Sequence, residues 1–502
     1  MLSLGYAILL VHFLLLAILC LFGLHRLSMV FRWLRYRSRD IEPPQRFDQY
    51  PTLTIQVPLF NERFVAERIV SAVAATDYPR NKLQIQIVDD STDATVDLVR
   101  DLVAEYAAEG LNIQHVHRRN RQGFKAGALK DAMAEATGEF IAIFDADFLP
   151  DPALLREAVH HFTDDRVAMV QFRWEHLNRH VSRLTGSQGV MLDAHFALEQ
   201  QVRDRSGALF NFNGTAGIWR TQAIEDAGHW SADTLTEDLD LSYRAQLKGW
   251  QLVYLNEQSC PGELPGDINA FKSQQHRWAK GGIQVMRKLL GTVWRSPLPL
   301  GVKVESTYHL SNNLAYLIML IDSVFFLVPS LIVRERIGLP SILWLDFPLL
   351  LLSSGGHLVY FFFGQVALGR SKWAALLALP RMLLLGIQLA FNNARAAAEA
   401  LLGDQGEFVR TPKVGSVDGD DAKVAVGRAG AGAALGRGAL YAAISPRGGQ
   451  FEFLLAFIYA IVFAWGVRNE QWLMLPFLLL LVLGFFTTAL GTLRQQYAPR
   501  PG

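Results

Sequence analysis

Carboxylates that directly follow short apolar stretches are the side chains in this sequence best suited to chemistry. Asp145 and Asp147 come after the apolar residues 140–144. Asp89 and Asp90 directly follow residues 84–88, which have the pattern of a strand. Alternate carboxylates at a strand end can share a hard divalent cation, which in turn neutralises a diphosphate leaving group. A lone Asp-x-Asp is more often a solvated acidic turn, but an apolar strand directly before it favours a site. We therefore expect Asp145 and Asp147 to bind Mg²⁺ or Mn²⁺.

A second acidic group, Thr236-Glu237-Asp238, stands at the start of a predicted helix. Apolar residues follow it at helical spacing over positions 239–247. The positive end of a helix dipole favours an ionised carboxylate, and an ionised Asp238 can accept a proton from an attacking hydroxyl. Thr236 can also cap the helix, with Glu237 and Asp238 as partners of the dipole. The two interpretations are compatible, and we expect Asp238 to be a general base.

Two further segments combine groups that can bind a phosphorylated ligand. In residues 123–128, small side chains surround Lys125 at a predicted helix start, which would let the backbone approach phosphate. A simple tight turn is an equal alternative there. Gln274, Arg277 and Trp278 lie within one pentapeptide. A guanidinium can clamp a diphosphate, and an indole offers either a stacking surface for a ring or an anchor at a membrane interface.

The elements that must position these groups form a predicted α/β layer. Between residues 51 and 302 the chain alternates strand-like and helix-like stretches, with buried strands expected at 52–57, 84–88 and 140–144. Such alternation is typical of a mostly parallel sheet with flanking helices. Ligands bind beyond the carboxyl ends of the strands in open sheets of this kind. We therefore expect the acids to converge on one crevice.

Composition indicates a protein with both soluble and membrane parts. Hydrophobic residues make up 51% of the 502 residues, and they are clustered along the chain. The formal net charge of +1 gives no basic surface for nucleic acid, which we do not expect as a partner. The two cysteines, Cys20 and Cys260, lie far apart, which argues against a disulfide framework or a cysteine-based zinc site. The partner indicated by the apolar clusters is a lipid bilayer.

Apolar stretches of membrane length predict five crossings. They cover residues 4–24, 314–333, 347–368, 453–467 and 472–490. A cationic cluster between His25 and Arg39 places the segment after the first crossing in the cytoplasm. Residues 373–391 are expected to lie in the membrane interface, because Arg381 at mid-bilayer depth would cost about 2.5 kcal/mol or more. Five segments are expected. They are a first helix with a basic tail (residues 1–40), a cytoplasmic domain (41–302), two crossings (303–372), an interfacial helix with a loop (373–450), and two crossings with a cytoplasmic tail (451–502).

Taken in order, these motifs resemble the signature of the processive family-2 glycosyltransferases, the group that includes cellulose, mannan and hyaluronan synthases. An Asp, an Asp-x-Asp, a Thr-Glu-Asp and a Gln-x-x-Arg-Trp follow one another between residues 51 and 290. The residues around 237–250 and 274–278 look closer to the mannan and glucomannan synthases of plants and their bacterial relatives than to bacterial cellulose synthase. The resemblance implies a GT-A fold, a nucleotide-sugar donor and a polysaccharide acceptor.

The resemblance also implies roles for individual residues. Asp238, with Glu237 and Thr236, would form the catalytic group, and Asp145 and Asp147 would serve the metal. Donor-binding residues would be Pro58, Asn61, Glu62, Asp89 or Asp90, Lys125, Asp145 and Arg277. Acceptor-binding residues would be Gly214, Thr215, Gln274 and Trp278. A gating loop that swings over the bound donor would contain Phe408, Val409, Arg410, Thr411 and Lys413, although Arg410 and Pro412 differ from the residues seen in cellulose synthases.

The expected activity is that of a membrane-embedded, inverting β-glycan synthase, which transfers hexose from UDP-glucose or GDP-mannose to a growing chain and translocates that chain. A lipid glycosyltransferase that adds one sugar to ceramide or diacylglycerol is the first alternative, since related enzymes share the Arg-Trp motif. A transporter or channel with a cytoplasmic binding domain is the second, based on Asp322 and the polar residues 353–357 in predicted crossings. The expected location is a bacterial inner membrane, with a Golgi membrane as the alternative, on the resemblance alone.

Overall fold

A seven-stranded sheet organises the first half of the chain. The computed structural model describes residues 2–338, 348–349, 351–404, 406, 413, 415–417, 449–472 and 474–497. Within these residues the strands are β1 (Leu53–Leu59), β2 (Leu83–Asp89), β3 (Ile113–His117), β4 (Phe140–Ile143), β5 (Val167–His176), β6 (Gly217–Arg220) and β7 (Gln251–Gly262). Their order across the sheet is β3-β2-β1-β4-β6-β5-β7, with β6 antiparallel to both neighbours and the other pairs parallel. The expected mostly parallel α/β sheet is confirmed, and β1, β2 and β4 are the three strands expected from the sequence.

Helices flank the sheet and continue into the apolar part of the chain. In the described residues the α-helices are α1 (Leu2–Tyr36), α2 (Ala66–Ala74), α3 (Thr95–Ala108), α4 (Phe124–Ala132), α5 (Leu154–Ala158), α6 (Arg183–Asp193), α7 (Gln201–Arg205), α8 (Thr221–Asp226), α9 (Glu237–Leu247), α10 (Ile268–Arg295), α11 (Leu300–Ser311), α12 (Leu314–Ile321), α13 (Val328–Arg336), α14 (Gly356–Ala367), α15 (Lys372–Leu401), α16 (Gly449–Arg468) and α17 (Leu475–Tyr497). Short 3₁₀ turns occur at Arg80–Lys82, Met133–Glu135 and Val159–Thr163, and π-helical turns at Ala194–Gln200, Asp322–Leu327 and Leu351–Gly355.

Both faces of the sheet are buried, as the alternating residues of β4 show. Phe140 and Ala142 belong to the hydrophobic cluster that packs α2 and α3 against one face. Ile141 and Ile143 belong to the cluster that packs α9 against the other face. Successive side chains of a strand point to opposite faces, so a strand covered on both sides is a continuous apolar run. The sequence before Asp145 is therefore apolar throughout because β4 is buried on both faces.

Four polar side chains inside the sheet form two hydrogen-bonded pairs. Thr54 Oγ1 donates a hydrogen bond to Gln84 Oε1 at 2.8 Å, and Gln56 Nε2 donates to Gln86 Oε1 at 2.9 Å. These residues are also partners in the register of β1 on β2. Because buried polar groups need hydrogen-bond partners, the pairs favour this register and bring the carboxyl ends of the two strands level.

Five helices in the described residues are long and apolar enough to cross a membrane. They are Leu4–Tyr36, Leu314–Arg336, Lys372–Leu401, Gly449–Arg468 and Leu475–Leu493, a set that indicates a multi-pass membrane protein. The crossing expected at 347–368 lies partly outside the described residues, and α14 is within its described part. Residues 373–391 fall inside α15, which is one of these five helices, so their expected place in the interface stays a prediction. The division of the chain into five segments also stays a prediction.

Buried ion pairs join the first of these helices to its neighbours. Arg26 of α1 donates to Glu199 Oε2 at 2.7 Å, and Tyr360 of α14 donates to the same oxygen at 2.6 Å. Towards the other end of α1, His12 Nδ1 lies 2.8 Å from Asp322 Oδ1, and both side chains are buried. Asp322 therefore faces protein. Removing Arg26 or Glu199 would leave an uncompensated buried charge, so this ion pair stabilises the position of α1.

Candidate active site

A cleft opens at the carboxyl ends of β1, β2 and β4, beside α9 and α10. The predicted residues that line it are Pro58, Glu62, Asp90, Lys125, Asp145, Asp147, Gly214, Thr236, Glu237, Asp238, Gln274, Arg277, Trp278 and Lys413. Three other predicted residues, Asn61, Asp89 and Thr215, are not among the lining residues. The fold thus brings the acidic motifs and the pentapeptide of α10 together, as the strand-end argument predicts.

The two carboxylates expected to bind a metal are each paired with a lysine. Lys125 Nζ lies 2.5 Å from Asp145 Oδ1, and Lys413 Nζ lies 2.5 Å from Asp147 Oδ2. Burial raises the pKa of Asp145 above its ordinary value, against the opposing effect of the Lys125 charge. Carboxylate oxygens are the ligands that Mg²⁺ and Mn²⁺ prefer, and the two ammonium groups show that positive charge is favourable here. The residues present therefore fit a hard divalent cation.

Asp238 lies at the N-terminus of α9, close to Lys125. Gly214 separates them so narrowly that a Cβ atom there would lie 3.0 Å from Asp238 Oδ2 and 3.5 Å from Lys125 Nζ. Burial, reinforced by the charge of Glu237, raises the pKa of Asp238 to about 7. The dipole argument from the sequence predicts an ionised carboxylate, but burial and the like charge outweigh the helix dipole. The carboxyl is thereby poised near neutral pH, where a general base is most effective.

Thr236 occupies the N-cap position of α9 without capping the helix. Its side chain makes no cap hydrogen bond, and its Oγ1 is buried with no partner among the described residues. The alternative interpretation of this hydroxyl as a helix cap is therefore wrong. Gly281 of α10 approaches so closely that a Cβ atom there would lie 2.5 Å from Thr236 Cγ2. The first turn of α9 thus packs directly on the helix that carries Arg277 and Trp278.

Asp89 and Asp90 face different surroundings at the end of β2. Asp90 lines the cleft, and Arg118 donates two hydrogen bonds to it, at 2.7 and 2.6 Å. Asp89 is fully buried away from the lining, accepts a hydrogen bond from the Ser91 N–H at 2.8 Å, and lies 2.9 Å from His115 Nε2. The donor-binding role expected for one of the two acids therefore fits Asp90, and the placement of Asp89 does not support it.

Thr215 and Asn61 lie behind the lining and hold parts of it. Thr215 Oγ1 accepts a hydrogen bond from the Asp145 backbone N–H at 2.7 Å. Asn61 has a φ of +54°, and its N–H donates to Ser91 Oγ at 2.7 Å. Both residues position the chain next to the cleft through hydrogen bonds.

The pentapeptide of α10 provides a cation and an aromatic wall. Burial lowers the pKa of Arg277, while the neighbouring acids Glu237 and Asp145 act in the opposite direction. The ring of Trp278 lies 6.4 Å from the ring of Trp174, which stacks on another aromatic side chain deeper in the domain. Aromatic faces of this kind suit the apolar faces of a sugar ring.

Lys413 is the described member of the predicted gating loop. Phe408, Val409, Arg410 and Thr411 lie outside the described residues, so their roles stay predictions. Lys413 is buried and, besides its pair with Asp147, donates a hydrogen bond to the carbonyl oxygen of Glu263. The carboxylate of Glu263 in turn accepts from the Gly415 N–H and the Ser416 hydroxyl, both at 3.1 Å. The segment after the predicted gate is therefore anchored in the cleft.

The site predicted from the sequence does not include one wall of the cleft, which is formed by the ends of β5 and β7. Trp174, Glu175, His176 and residues 262–265 line the cleft there. The apolar run at 167–170 is a signal that predicts β5. Applied to that strand, the rule that ligands lie beyond carboxyl ends indicates Trp174 and its neighbours.

Comparison with known proteins finds relatives of this chain. A family profile described as "Glycosyltransferase like family 2" matches residues 51–281. The chain is 36% identical over 359 residues to glucomannan 4-beta-mannosyltransferase 1 of Oryza sativa subsp. japonica, an alignment that covers 67% of this chain and 69% of that protein. It is 41% identical over 252 residues to glucomannan 4-beta-mannosyltransferase 7 of Arabidopsis thaliana, covering 49% of this chain and 45% of that protein, or about half its length. Among solved structures, mannosyltransferase PcManGT from Pyrobaculum calidifontis, in complex with GDP-Man and Mn²⁺, is 20% identical with a TM-score of 0.49, covering 77% of this chain and 99% of that one.

The profile covers the sheet and all the residues that line the cleft except Lys413, and the rice protein extends the similarity to two thirds of the chain. The expected GT-A fold and the resemblance to cellulose synthase-like enzymes are confirmed. The chain therefore belongs to glycosyltransferase family 2, and it is a hexosyltransferase.

Proposed function

We propose that this chain is a membrane-embedded, inverting, processive β-glycan synthase that uses a nucleotide sugar as donor. The observation that carries the proposal is a single cleft that combines Asp238, whose pKa is about 7, with the acids Asp145 and Asp147 and the cations Lys125 and Arg277. The names of the relatives support transfer of mannose, and the donor in the proposal is GDP-mannose, with UDP-glucose as the alternative. The choice of donor and the location, a bacterial inner membrane with a Golgi membrane as the alternative, belong to the proposal.

In the proposed reaction, Asp238 removes the proton from the acceptor hydroxyl. The hydroxyl oxygen then forms a bond to the anomeric carbon of the donor hexose, on the face opposite the diphosphate. The bond between that carbon and the diphosphate oxygen breaks, and the nucleoside diphosphate leaves with the electron pair. One displacement of this kind inverts the anomeric configuration. Asp238 ends the step protonated, which its pKa of about 7 permits at neutral pH.

Positive charge on the chain balances the departing diphosphate. Lys125 and Arg277 both line the cleft, and a cation placed where charge develops in the transition state lowers the barrier. Asp145 and Asp147 would hold Mg²⁺ or Mn²⁺, which when bound supplies further positive charge for the diphosphate. Thr215 keeps Asp145 in place through the backbone hydrogen bond described above.

The position of α10 supports delivery of the product into the membrane part of the chain. α10 lines the cleft through Trp278, and the same helix packs along α15, one of the five apolar helices. Glu399 of α15 joins the two helices, because its Oε2 lies 3.1 Å from His276 Nε2 and 3.2 Å from Lys280 Nζ. The helix that forms the Trp278 wall of the cleft is therefore joined through its other face to a helix of membrane length.

The substitution Asp238→Asn tests the proposal directly. The variant should bind labelled nucleotide sugar as the unmodified protein does and should lose transfer, because the amide cannot accept the proton. Asp101→Asn, on the exposed surface of α3, is the matched control and should keep full activity. Purified protein would be incubated separately with GDP-mannose and UDP-glucose, and the product extracted with organic solvent. Polymerisation by the Asp238→Asn variant would refute the role of the base, and a product that dissolves as a single-sugar lipid would refute processive synthesis.

A further inference from the structure

Three side chains that can ligate a metal face one another outside the cleft, at the outer edge of the sheet. They are Asp89 at the end of β2 and His115 and His117 of β3. Asp89 and His117 are partners in the register of the two strands, and His115 precedes His117 by two residues, so all three side chains project from the same face. β3 is the edge strand, and the side chain of His117 is 30% exposed, so a solute can reach the group from solvent.

The distances between the ligand atoms suit a small cation. Asp89 Oδ2 lies 2.9 Å from His115 Nε2 and 3.6 Å from His117 Nδ1, and all three atoms lie within 4.8 Å of one another. Ligand atoms that share a tetrahedral Zn²⁺ at bond lengths near 2.0–2.1 Å are separated by roughly 3.3 Å. The separation of 3.6 Å is too long for a good hydrogen bond between His117 and Asp89, whereas a shared cation accommodates it.

We propose that Asp89, His115 and His117 form a binding site for a divalent transition metal, with Zn²⁺ as the ion it fits best. Two imidazole nitrogens and one carboxylate favour Zn²⁺ over Mg²⁺ and Mn²⁺, which prefer oxygen ligands. The described residues supply three ligands, which leaves a fourth position for water. The site is separate from Asp145 and Asp147, and the two sites differ in ligand chemistry.

The site is connected to the end of the cleft where Asn61 shapes the loop. The second carboxylate oxygen of Asp89 accepts the hydrogen bond from the Ser91 N–H, and Ser91 Oγ accepts from the Asn61 N–H. Thr92 N–H also donates to Asn61 Oδ1, at 2.9 Å. A cation on the other oxygen of Asp89 fixes the carboxylate from which this chain of hydrogen bonds begins. It thereby orders the loop between β2 and α3.

Metal binding by the whole chain tests the proposal. The protein would be purified in detergent without a histidine tag and stripped of metal. Its background would carry Asp145→Asn and Asp147→Asn, so that the cleft does not contribute ligands. Titration with Co²⁺, followed by its visible absorption, should show one ion per chain that an equivalent of Zn²⁺ displaces and an excess of Mg²⁺ does not.

Variants of the cluster decide the outcome. His117→Ala should weaken Co²⁺ and Zn²⁺ binding by roughly 100-fold, one ligand's share of the affinity. His117→Cys should retain binding and add a thiolate-to-cobalt absorption band, which also guards against misfolding as the cause of a loss. His180→Ala, at an exposed position outside the cluster, is the matched control and should bind as the parent does. No ion bound by the parent, or equal affinity in the parent and the His117→Ala variant, would overturn the proposal.

Discussion

The pH dependence of transfer offers a sharp test of the assignment of Asp238. Its pKa of about 7 means that about one tenth of the molecules carry the ionised base at pH 6 and about nine tenths at pH 8. The rate of the chemical step should therefore rise roughly tenfold across this range and level off above it. Burial is the main cause of the raised pKa, and the charge of Glu237 is the second. Substitution Glu237→Gln removes the second cause and leaves the first.

The expected effect of Glu237→Gln is a shift of the profile towards lower pH. A like charge on the adjacent residue is worth on the order of one pKa unit at an effective dielectric between protein and water. Single-turnover transfer of labelled hexose would be measured from pH 5.5 to 9 at constant ionic strength, with saturating donor and metal. The half-maximal rate should move from about pH 7 to about pH 6. Glu139→Gln, an exposed glutamate at the opposite end of β4, is the matched control and should leave the midpoint unchanged.

Two results would refute this reasoning. A rate that does not change between pH 5.5 and 9 would show that no group with a pKa near 7 controls the chemical step. A midpoint that rises in Glu237→Gln would show that the glutamate stabilises the ionised form of Asp238 instead of opposing it.

Three further substitutions probe the ion pairs and the buried acid. Asp238→Asn should raise the thermal transition more at pH 8 than at pH 5, because a carboxyl whose pKa rises from 3.8 to about 7 on folding destabilises the folded protein increasingly as the pH rises between these two values; the cost grows by about 3 kcal/mol from pH 5 to pH 8, and equal shifts at both pH values would argue against it. Lys413→Met should bind Mn²⁺ about tenfold more tightly without donor, since Asp147 loses its competing ammonium, and calorimetry showing equal affinity would contradict this. Lys272→Met should cost about 3–5 kcal/mol because it leaves Glu452 buried without its partner at 2.6 Å, and adding Glu452→Leu should restore most of that loss in the same denaturation assay.

The sequence predicts the place of Asp145 and Asp147 well, because the rule that relates strand ends to ligand sites needs only local information. β4 is recognisable as a run of apolar residues, and the acids follow it at once. Asp238 is predictable in the same way from the helix that begins beside it. Its protonation is not, because the local helix dipole and the burial contributed by distant residues act in opposite directions.

Other features depend on contacts that one segment cannot reveal. Adjacent residues at a strand end point to opposite sides, so the letters Asp89-Asp90 do not show which acid faces the cleft. The pair between Lys413 and Asp147 joins positions far apart in the sequence. The cluster of Asp89, His115 and His117 becomes visible only when the register of β2 on β3 is known.

The lysine held against Asp147 has a consequence for the order in which ligands arrive. Because Lys413 already neutralises Asp147, the enzyme without bound donor attracts free metal ions only weakly. A nucleotide sugar that carries a bound metal ion brings positive charge for Asp147 and negative charge for Lys413, so it can replace their ion pair in one step. The sugar donor and its metal ion would then bind together, and neither would stay bound to the enzyme between reactions.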